Sequence, residues 1–383
     1  MTPSLPRRAD VVVVGGGVIG TSIAFHLAEA GTDVCLLERS ELASGSTSRG
    51  AGGVRAQSSD PLNIALGLRS IDAYERFAER PGAEIDLRQV GYLFLLDRPE
   101  DLSSFEQSVT LQNEHGVPSR FVNLEEARRL CPIAGLDGVL AATFSPRDGH
   151  ANPEAVVHGY ATGARRHGAA VVTGCAVSGI DVEGDEIRGV RTANGRIETD
   201  TVVCAAGAWS PELARMVGVE LPVVPILREI GYTAAADLSD RIPLTVDFSS
   251  GLYFHREGPG LLFGMADPDQ PPGFDVPSDP SWLERVTTIA ERRLPALLDM
   301  GIAGGWKGYY EVTPDHNALI GEAPGVSRFL YATGFSGHGF LQGPAVGEIV
   351  RDLVLGREPF VDASPLGVER FARDTPRPEF NVI

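Results

Sequence analysis

The chain has 383 residues, including 45 glycines, and its 33 basic against 51 acidic side chains give a formal net charge of −18. Hydrophobic residues make up 43% and charged residues 22% of the sequence, which is typical of globular proteins and excludes fibrous and largely disordered classes. The negative charge argues against binding to nucleic acid or to an anionic membrane surface. Backbone N–H groups at a helix N-terminus can still bind phosphate groups in such a chain.

Cysteine usage and the N-terminus bear on where the protein works. None of the four cysteines forms a CxxC pair, so we expect no disulfide framework and a reducing, cytoplasmic environment. An apolar stretch after Arg7-Arg8 imitates a secretory signal, but glycines interrupt it and cleavage after Ala30 would destroy the strongest motif of the chain. No other run approaches the ~18 apolar residues of a membrane span, so none is expected.

The first structural unit predicted in chain order is a β-α-β unit. Val11–Val14 is a wholly apolar run typical of a buried parallel strand, and apolar residues at helical spacing follow until Gly31. A second buried strand, Val34–Leu37, ends at Glu38. The turn between strand and helix reads Gly15-x-Gly17-x-x-Gly20, with the glycine spacing that brings a pyrophosphate to the helix N-terminus.

Glu38 completes this dinucleotide-binding pattern. It lies at the end of the second strand, where a carboxylate can accept hydrogen bonds from both ribose hydroxyls. An acid at this position disfavours a 2′-phosphate and therefore disfavours NADP. The motif by itself leaves an NAD-binding protein open.

The Ser- and Gly-rich segment 40–58 is either a flexible linker or a loop that wraps around a ligand. Arg49 and Arg55 within it, and its position directly after the β-α-β unit, favour the ligand-wrapping loop. Farther on, we predict helices over 61–79, 151–166 and 281–299, and strands at 91–96, within 169–206 and within 223–270. We expect a loop around 268–280 and a tail after about 357 that wraps over the surface.

A second glycine-rich turn, Gly334–Phe340, precedes a helix-like stretch, Pro344–Leu355. Such a turn presents backbone N–H groups and a positive dipole end to a ligand. It would stabilise the negative charge that an isoalloxazine ring gains on reduction. The alternative is a capping loop in which His338 makes a local hydrogen bond.

Together these motifs resemble the FAD-dependent amine oxidoreductases of the D-amino-acid-oxidase-like (DAO) superfamily, nearest to its branch of sarcosine oxidase beta subunits, glycine oxidase and sarcosine–dimethylglycine dehydrogenase. Three further segments carry the resemblance. Ala206–Ser210 resembles a second FAD-contacting turn, Thr313–Gly321 resembles the TPD…G signature, and Tyr331–Phe340 resembles the flavin-edge loop.

The resemblance implies an α/β fold (α+β overall) in which a glutathione-reductase-like Rossmann FAD-binding domain is interleaved with a β-sheet-based substrate domain. The expected FAD-binding domain is discontinuous and comprises residues 1–80, 148–222 and 306–383. The expected substrate domain comprises residues 81–147 and 223–305.

The same resemblance implies which residues bind FAD. The pyrophosphate is assigned to Gly15, Gly17, Val18, Ile19 and Gly20, and the adenosine side to Glu38, Arg39 and Val177. The flavin and its ribityl chain are assigned to Ser46, Thr47, Arg49, Gly52, Gly53, Ala206, Gly207 and Trp209. The edge of the flavin ring is assigned to Gly334, Gly337, His338, Gly339, Phe340 and Leu341.

Three departures from the family pattern shape the expectations. Gly308 stands where monomeric sarcosine oxidases carry the cysteine bound to FAD, so non-covalent FAD is expected. Leu341 stands where those enzymes place a substrate-binding lysine, and Leu262 aligns with their oxygen-activating lysine. The loss of these cations favours a dehydrogenase or a slow oxidase.

The candidate catalytic residues are Arg55, Tyr253, His255 and His338. Arg55 aligns with a family arginine that pairs with a substrate carboxylate, and its alternative role is a structural ion pair. His255 could orient an amine proton, its alternative role being purely structural. No metal site is expected.

The expected reaction is oxidation of the C–N bond of a small amine or amino acid, sarcosine-, glycine- or proline-like, N-alkyl or cyclic. Hydride passes to flavin N5 and an imine results. The electron acceptor is O2 or another oxidant, and homo- and hetero-oligomers both stay open. The alternative is a flavin-binding, beta-type subunit or assembly factor that requires a partner and has little activity alone.

Overall fold

The computed structural model describes residues 5–277, 279–373 and 375–381. The β-strands are β1 (Val11–Val14), β2 (Val34–Leu37), β3 (Gly53–Val54), β4 (Tyr92–Leu96), β5 (Arg120–Val122), β6 (Ala141–Ser145), β7 (Gly149–His150), β8 (Ala170–Val172), β9 (Val177–Glu183), β10 (Glu186–Thr192), β11 (Gly195–Glu198), β12 (Val202–Cys204), β13 (Val224–Thr233), β14 (Leu244–Asp247), β15 (Leu252–Glu257), β16 (Gly260–Met265), β17 (Ile302–Val312), β18 (Leu319–Glu322) and β19 (Phe329–Thr333). The α-helices are α1 (Val18–Glu29), α2 (Pro61–Glu75), α3 (Pro99–Glu114), α4 (Leu124–Leu130), α5 (Pro153–Arg166), α6 (Ser210–Arg215), α7 (Trp282–Arg293), α8 (Gly339–Val354) and α9 (Glu369–Ala372).

A six-stranded sheet in the order β18-β19-β12-β1-β2-β8 forms the first half of the molecule, and its strands are parallel except β18. The side chains of β1 alternate between two cores. Val11 and Val13 pack towards helices α1, α5 and α8, whereas Val12 and Val14 pack towards the β9–β11 meander. Both faces of the sheet are therefore covered, which explains the uninterrupted apolar sequence of β1.

An eight-stranded sheet in the order β17-β13-β16-β15-β14-β4-β6-β5 forms the other half. Neighbouring strands are antiparallel except the pair β14 and β4. Its strand β4 also alternates: Leu93 and Leu95 join the core under α4 and α7, and Phe94 packs against Phe105 of α3. The predicted fold class, a Rossmann-type sheet combined with a second β-sheet, is confirmed.

The exact domain ranges stay a prediction, and β17 runs without interruption through the expected boundary at residue 306. No helix within the described ranges is long and apolar enough to cross a bilayer.

Several elements differ from the sequence expectations. Helix α3 was not anticipated, because only Phe105, Ser108 and Gln112 of its sixteen residues are buried and no clear apolar stripe results. The helices expected over 61–79 and 281–299 end at Glu75 and Arg293 instead. A 3-10 turn that starts at a proline continues the second of these helices over Pro295–Asp299.

Helix α8 begins five residues earlier than expected, because Pro344 lies inside it instead of at its start. A proline in a helix has no N–H to donate to the carbonyl four residues before it. That carbonyl belongs to Phe340, and it accepts a hydrogen bond from the Tyr74 hydroxyl at 2.6 Å instead. Helix α2 thus satisfies the acceptor that the proline leaves open.

The expectation that the C-terminal tail lies on the surface is wrong for its last described residues. Glu379 and Asn381 are buried, with exposed fractions of 3% and 1%. The Glu379 carboxylate accepts hydrogen bonds from the backbone and hydroxyl of Ser59 and from the Asn63 amide. The tail is therefore part of the interior beside the candidate site.

A buried ion network ties α7 to the eight-stranded sheet. Arg293 is fully buried, and its guanidinium donates to Asp247 at 2.6 Å and to Asp97 at 2.7 Å. The neighbouring Arg292 also reaches Asp97, at 3.1 Å, but its side chain is half exposed.

The replacement Arg293→Met leaves Asp247 buried without its cation, and we expect a loss of roughly 3–5 kcal/mol in the free energy of unfolding. The matched control Arg292→Met removes a half-exposed arginine and leaves Asp97 paired with Arg293, so it should cost at most about 1 kcal/mol. Urea unfolding monitored by tryptophan fluorescence measures both. Equal losses for the two variants would contradict the assigned network.

Candidate active site

The turn after β1 is built from glycines because the backbone passes too close to itself for any side chain. Gly15 has φ +121°, and a Cβ there would lie 2.2 Å from the carbonyl oxygen of Ala205 at the end of β12. A Cβ on Gly20 would lie 1.9 Å from the carbonyl oxygen of Gly15. Helix α1 therefore starts directly against the sheet, with no acidic side chain in its first turn. Its N-terminal dipole is available to an anion.

Glu38 and Thr47 shape the two sides of this helix start. The Glu38 carboxylate accepts hydrogen bonds from the backbone N–H groups of Gly16, at 2.7 Å, and Ser40, at 2.8 Å. The Thr47 hydroxyl accepts one from the N–H of Val18 at 3.2 Å. The carboxylate is thus fixed in direction at the end of β2, as the sequence motif requires.

The segment 40–58 is clamped to β17, which supports a ligand-wrapping loop over a flexible linker. The Ser46 hydroxyl donates to the Tyr309 carbonyl at 2.6 Å, and the Arg49 guanidinium donates to the Lys307 carbonyl at 2.9 Å. The Trp306 indole donates back to the Arg49 carbonyl at 3.0 Å. Residues more than 250 positions apart thereby form one wall.

A cavity of about 820 Å³ opens between the two sheets and is bounded by the turn after β1, this loop, β13, β17 and the start of α8. It brings together most of the predicted site residues: Gly15, Gly17, Val18, Ile19, Glu38, Arg39, Ser46, Thr47, Arg49, Gly52, Gly53, Arg55, Val177, Ala206, Gly207, Trp209, Tyr253, Gly337, His338, Gly339, Phe340 and Leu341. Gly20, Gly334 and His255 do not line it.

Gly20 and Gly334 act by allowing close packing and not by lining the cavity. Gly334 has φ +72°, and a Cβ there would lie 2.4 Å from the Thr313 side chain. The sequence predicted that both glycines contact the cofactor. The structure instead gives them the role of supporting the turns that line the cavity.

His255 is also corrected: the structure gives it a structural place and not a catalytic one. Its ring is fully buried, with Nδ1 at 2.8 Å from the Arg256 carbonyl and Nε2 at 2.9 Å from the Ala51 carbonyl. It packs on the His150 ring at 4.2 Å between centroids. With both ring nitrogens within hydrogen-bond distance of carbonyl oxygens, His255 contributes no atom to the lining of the cavity.

Arg55 and His338 meet at the start of α8. Arg55 is 3% exposed, and its Nη2 donates to His338 Nε2 at 3.1 Å and to the carbonyl of Asn381. Its Nη1 donates to the carbonyl of Gln57. Burial, and secondly the adjacent Arg55 charge, lower the pKa of His338 to about 4. His338 is therefore neutral at physiological pH and accepts a hydrogen bond at Nε2.

Sequence reasoning missed the wall formed by Tyr92, Arg228 and Tyr310. All three line the cavity together with Tyr253, and the Arg228 guanidinium carbon lies 5.3 Å from the centre of the Tyr310 ring. Burial raises the pKa of Tyr253 and of Tyr310, so both phenols stay neutral. The available signal was the Arg228-Glu229 pair, which interrupts the apolar residues of β13.

Glu311, on β17, is a second residue that the sequence did not single out. Its carboxyl group lines the cavity next to Gly207 and accepts from the Thr333 hydroxyl at 2.9 Å. Burial raises the pKa of Glu311 to about 7. This group therefore changes its protonation near neutral pH.

The residues present fit a dinucleotide with a long extended shape. The glycine turn has no room for side chains, the first turn of α1 contains no acidic residue, and Glu38 is oriented at the end of β2. A family model described as FAD dependent oxidoreductase (DAO) matches residues 10–353. The chain belongs to this FAD-dependent oxidoreductase family.

Relatives of this FAD-dependent oxidoreductase agree with the assignment. The chain is 31% identical to mitochondrial dimethylglycine dehydrogenase of Rattus norvegicus, over 97% of the chain and 46% of the relative. It is 30% identical to 4-methylaminobutanoate oxidase (formaldehyde-forming) of Paenarthrobacter nicotinovorans, over 96% of the chain and 46% of the relative. The chain thus spans about half the length of these curated relatives.

Solved structures resemble the oxidoreductase over almost its whole length. L-proline dehydrogenase from P. horikoshii superposes with a TM-score of 0.93 at 33% identity, covering 97% of this chain and 100% of that one. Glycine oxidase from Geobacillus kaustophilus superposes with a TM-score of 0.85 at 27% identity, covering 95% and 99%. FAD is accordingly the cofactor that the glycine turn and Glu38 are expected to bind.

The variant Gly20→Ala should lose FAD, because its Cβ would push the Gly15 carbonyl out of the turn. We expect the FAD dissociation constant to rise at least about 10-fold, equivalent to about 1.4 kcal/mol. Flavin fluorescence on dilution measures it. Gly301→Ala is the control, since its Cβ would make only an ordinary contact, 3.9 Å from Ala234, and Gly301 does not line the cavity. Retention of FAD by Gly20→Ala would refute the role of this turn.

Glu311 predicts a pH dependence of stability. Its folded pKa of about 7 lies above the ordinary value of 4.5, so the folded state holds a proton that the unfolded chain has released. Stability should fall as pH rises between these two values and level off above them, by about 3 kcal/mol in total.

We expect Glu311→Gln to lack this pH-dependent part of the stability. Between pH 4.5 and about pH 7, its unfolding midpoint in urea should therefore change less than that of the unmodified protein. The control is Glu322→Gln, which changes an exposed glutamate of β18. A steep decline that survives in Glu311→Gln would assign the titration to another group.

Proposed function

We propose that the chain oxidises the C–N bond of a small amino acid carrying a secondary or tertiary amine, N-alkyl or cyclic. Loss of hydride gives an iminium ion, and the iminium ion of a secondary amine then releases its N–H proton to solvent to become the imine. The observation that carries this proposal is a single cavity in which the dinucleotide-binding turn and a wall of tyrosines and arginines face each other. Bound FAD supplies a two-electron acceptor for the hydride of the carbon next to nitrogen.

The protein groups around the cavity favour a neutral amine. Arg55 and Arg228 are positive, and the phenols of Tyr253 and Tyr310 keep their protons, since burial raises the pKa of both. A protonated amine would meet repulsion from these arginines, so the cavity lowers the pKa of a bound amine. A neutral amine can lose hydride without a protein base, and no such base is proposed.

The start of α8 supports the negative charge that arrives with the hydride. Gly337, His338 and Gly339 line the cavity immediately before and at the first turn of this sixteen-residue helix. Backbone N–H groups and the positive end of the helix dipole stabilise an anion without any change of protonation. His338 is neutral, so its side chain adds no charge of its own to this end of the helix.

The printed names of the relatives support the substrate class. They include dimethylglycine dehydrogenase, 4-methylaminobutanoate oxidase, L-proline dehydrogenase and glycine oxidase. Dimethylglycine, 4-methylaminobutanoate and proline share a carboxylate and a substituted amine. The proposal extends this shared chemistry to the present chain.

We further propose that electrons leave to an acceptor other than O2. Leu341 lines the cavity, so the cation that the family resemblance would place there is lacking. Leu262, expected from the same resemblance at the position of an oxygen-activating lysine, is buried in β16 and does not line the cavity. Neither position offers a charge that stabilises superoxide, which favours a dehydrogenase.

Anaerobic mixing of the FAD-loaded protein with sarcosine, dimethylglycine, L-proline and 4-methylaminobutanoate tests the proposal. At least one should bleach the visible flavin absorbance, and an artificial dye should reoxidise the reduced flavin faster than air does. The corresponding N-acyl amino acids are the control, because their nitrogen has no amine lone pair. If no amine bleaches the bound flavin, amine oxidation by this chain alone is refuted, and the partner-dependent subunit becomes the better account.

A further inference from the structure

We propose that Arg228, and not Arg55, supplies the guanidinium that binds the carboxylate of the substrate, whereas Arg55 positions His338. The inference rests on the proposed function for the chemical class of the ligand, an amino-acid carboxylate. It departs from the expectation of the sequence, in which Arg55 was the carboxylate partner.

Arg55 has already committed the hydrogen-bond donors that a carboxylate would need. Both N–H groups of its Nη2 have partners, the Asn381 carbonyl and His338 Nε2, and its Nη1 donates to the Gln57 carbonyl. A carboxylate that binds in a bidentate way uses two N–H groups on one edge of the guanidinium. The two available edges are formed by Nε with Nη2 and by Nη1 with Nη2, so each includes Nη2. Arg55 can offer no complete edge while these bonds persist.

Arg228 presents the opposite situation. Its Nε is buried and has no hydrogen-bond partner in the described part of the chain. Its single hydrogen bond there runs from Nη1 to the carbonyl of the preceding Leu227, at a long 3.3 Å. No carboxylate of the described residues pairs with it, whereas Lys307, another cation of the cavity wall, pairs with Glu229. Nη2 makes no hydrogen bond to the described residues either, so the edge formed by Nε and Nη2 has no protein partner among them.

An unpartnered buried N–H of a charged group is costly, and such groups usually have a partner in the working state of a protein. Arg228 lines the cavity, and a planar carboxylate matches the edge without a protein partner in shape and charge. The orphaned Nε is thus the observation that points to an anionic ligand.

The neighbours of Arg228 are compatible with this ligand. The guanidinium carbon of Arg228 lies 5.3 Å from the centre of the Tyr310 ring. The Arg228 charge lowers the pKa of both Tyr253 and Tyr310, although burial raises each pKa by more. Arg228 is therefore close to both phenols. Because these phenols remain neutral, they do not compete with a carboxylate and can donate a hydrogen bond to it. Arg228 thereby supplies from β13 a cation that Leu341 does not supply from α8.

The test measures binding and not turnover. FAD-loaded protein is titrated with thiophene-2-carboxylate and with its neutral match, thiophene-2-carboxamide, and the change in flavin absorbance gives each dissociation constant. For Arg228→Met we expect the dissociation constant of the acid to rise roughly 10- to 100-fold and that of the amide to change less than about 3-fold. Arg228→Lys, which keeps the charge but loses the planar edge, should show an intermediate rise.

Lys307→Met is the matched control, because it removes another cation from the cavity wall that already pairs with Glu229 at 3.6 Å. It should leave the ratio of acid to amide binding unchanged. The proposal is overturned if Arg228→Lys and Arg228→Met both bind the acid as tightly as the unmodified protein. If the methionine variant does not fold, the same result for the lysine variant alone overturns it.

Arg55→Gln tests the positioning role. The Arg55 charge helps to lower the pKa of His338, so its removal should move a pH-dependent change in the flavin spectrum towards neutral pH. The preference for acid over amide should persist in this variant. If Arg55→Gln loses the preference for the acid and Arg228→Lys keeps it, Arg55 and not Arg228 binds the carboxylate.

These binding outcomes are separable from the proposed reaction. If no amine reduces the flavin but acid binding depends on Arg228, the amine chemistry fails and the anion site stands. If amines reduce the flavin and the Arg228 variants bind the acid normally, the reaction stands and the assignment of Arg228 fails.

Discussion

The architecture depends on the near contact of three backbone segments at the end of β1. The carbonyl of Ala205 approaches Gly15, and the carbonyl of Gly15 in turn approaches Gly20, so closely that neither glycine can carry a side chain. This contact brings α1 against the junction of β1 and β12 and points its N-terminus into the cavity. The cofactor-binding surface is therefore mostly backbone, which explains how a chain of net charge −18 can bind a dianionic dinucleotide.

The reactive half of the cavity has a different construction, since it depends on contacts between distant parts of the chain. The loop that contains Ser46 and Arg49 is hydrogen-bonded to β17, more than 250 residues later. The tail residue Asn381 reaches back to Arg55, and Glu379 reaches Ser59. The contacts with β17 join the loop to the eight-stranded sheet, and the contacts of the tail hold the loop from its other end, so the site exists only when these segments are assembled.

Local sequence patterns predicted the cofactor half well. The strand, the glycine turn, the helix and Glu38 are contiguous within about 30 residues, so their geometry follows from steric rules that act over short distances. The alternation of β13 and β15, in contrast, indicates two faces without telling which one borders the cavity. This ambiguity is why Arg228 was overlooked. His255 lies on the same face of β15 as Tyr253, which lines the cavity, but the remote residues Ala51 and His150 cover it, and no local pattern shows such a cover.

The sequence by itself determined the family, the Rossmann-type unit and a dinucleotide site without a 2′-phosphate pocket, because glycine spacing and an acid at a strand end act through local backbone geometry. Only the tertiary structure decided which polar groups lack a partner. Arg55 and Arg228 are both arginines next to apolar residues, and they differ in whether carbonyls from remote segments occupy their donors. Hydrogen-bond saturation depends on the complete set of neighbours, and that set is assembled only by folding.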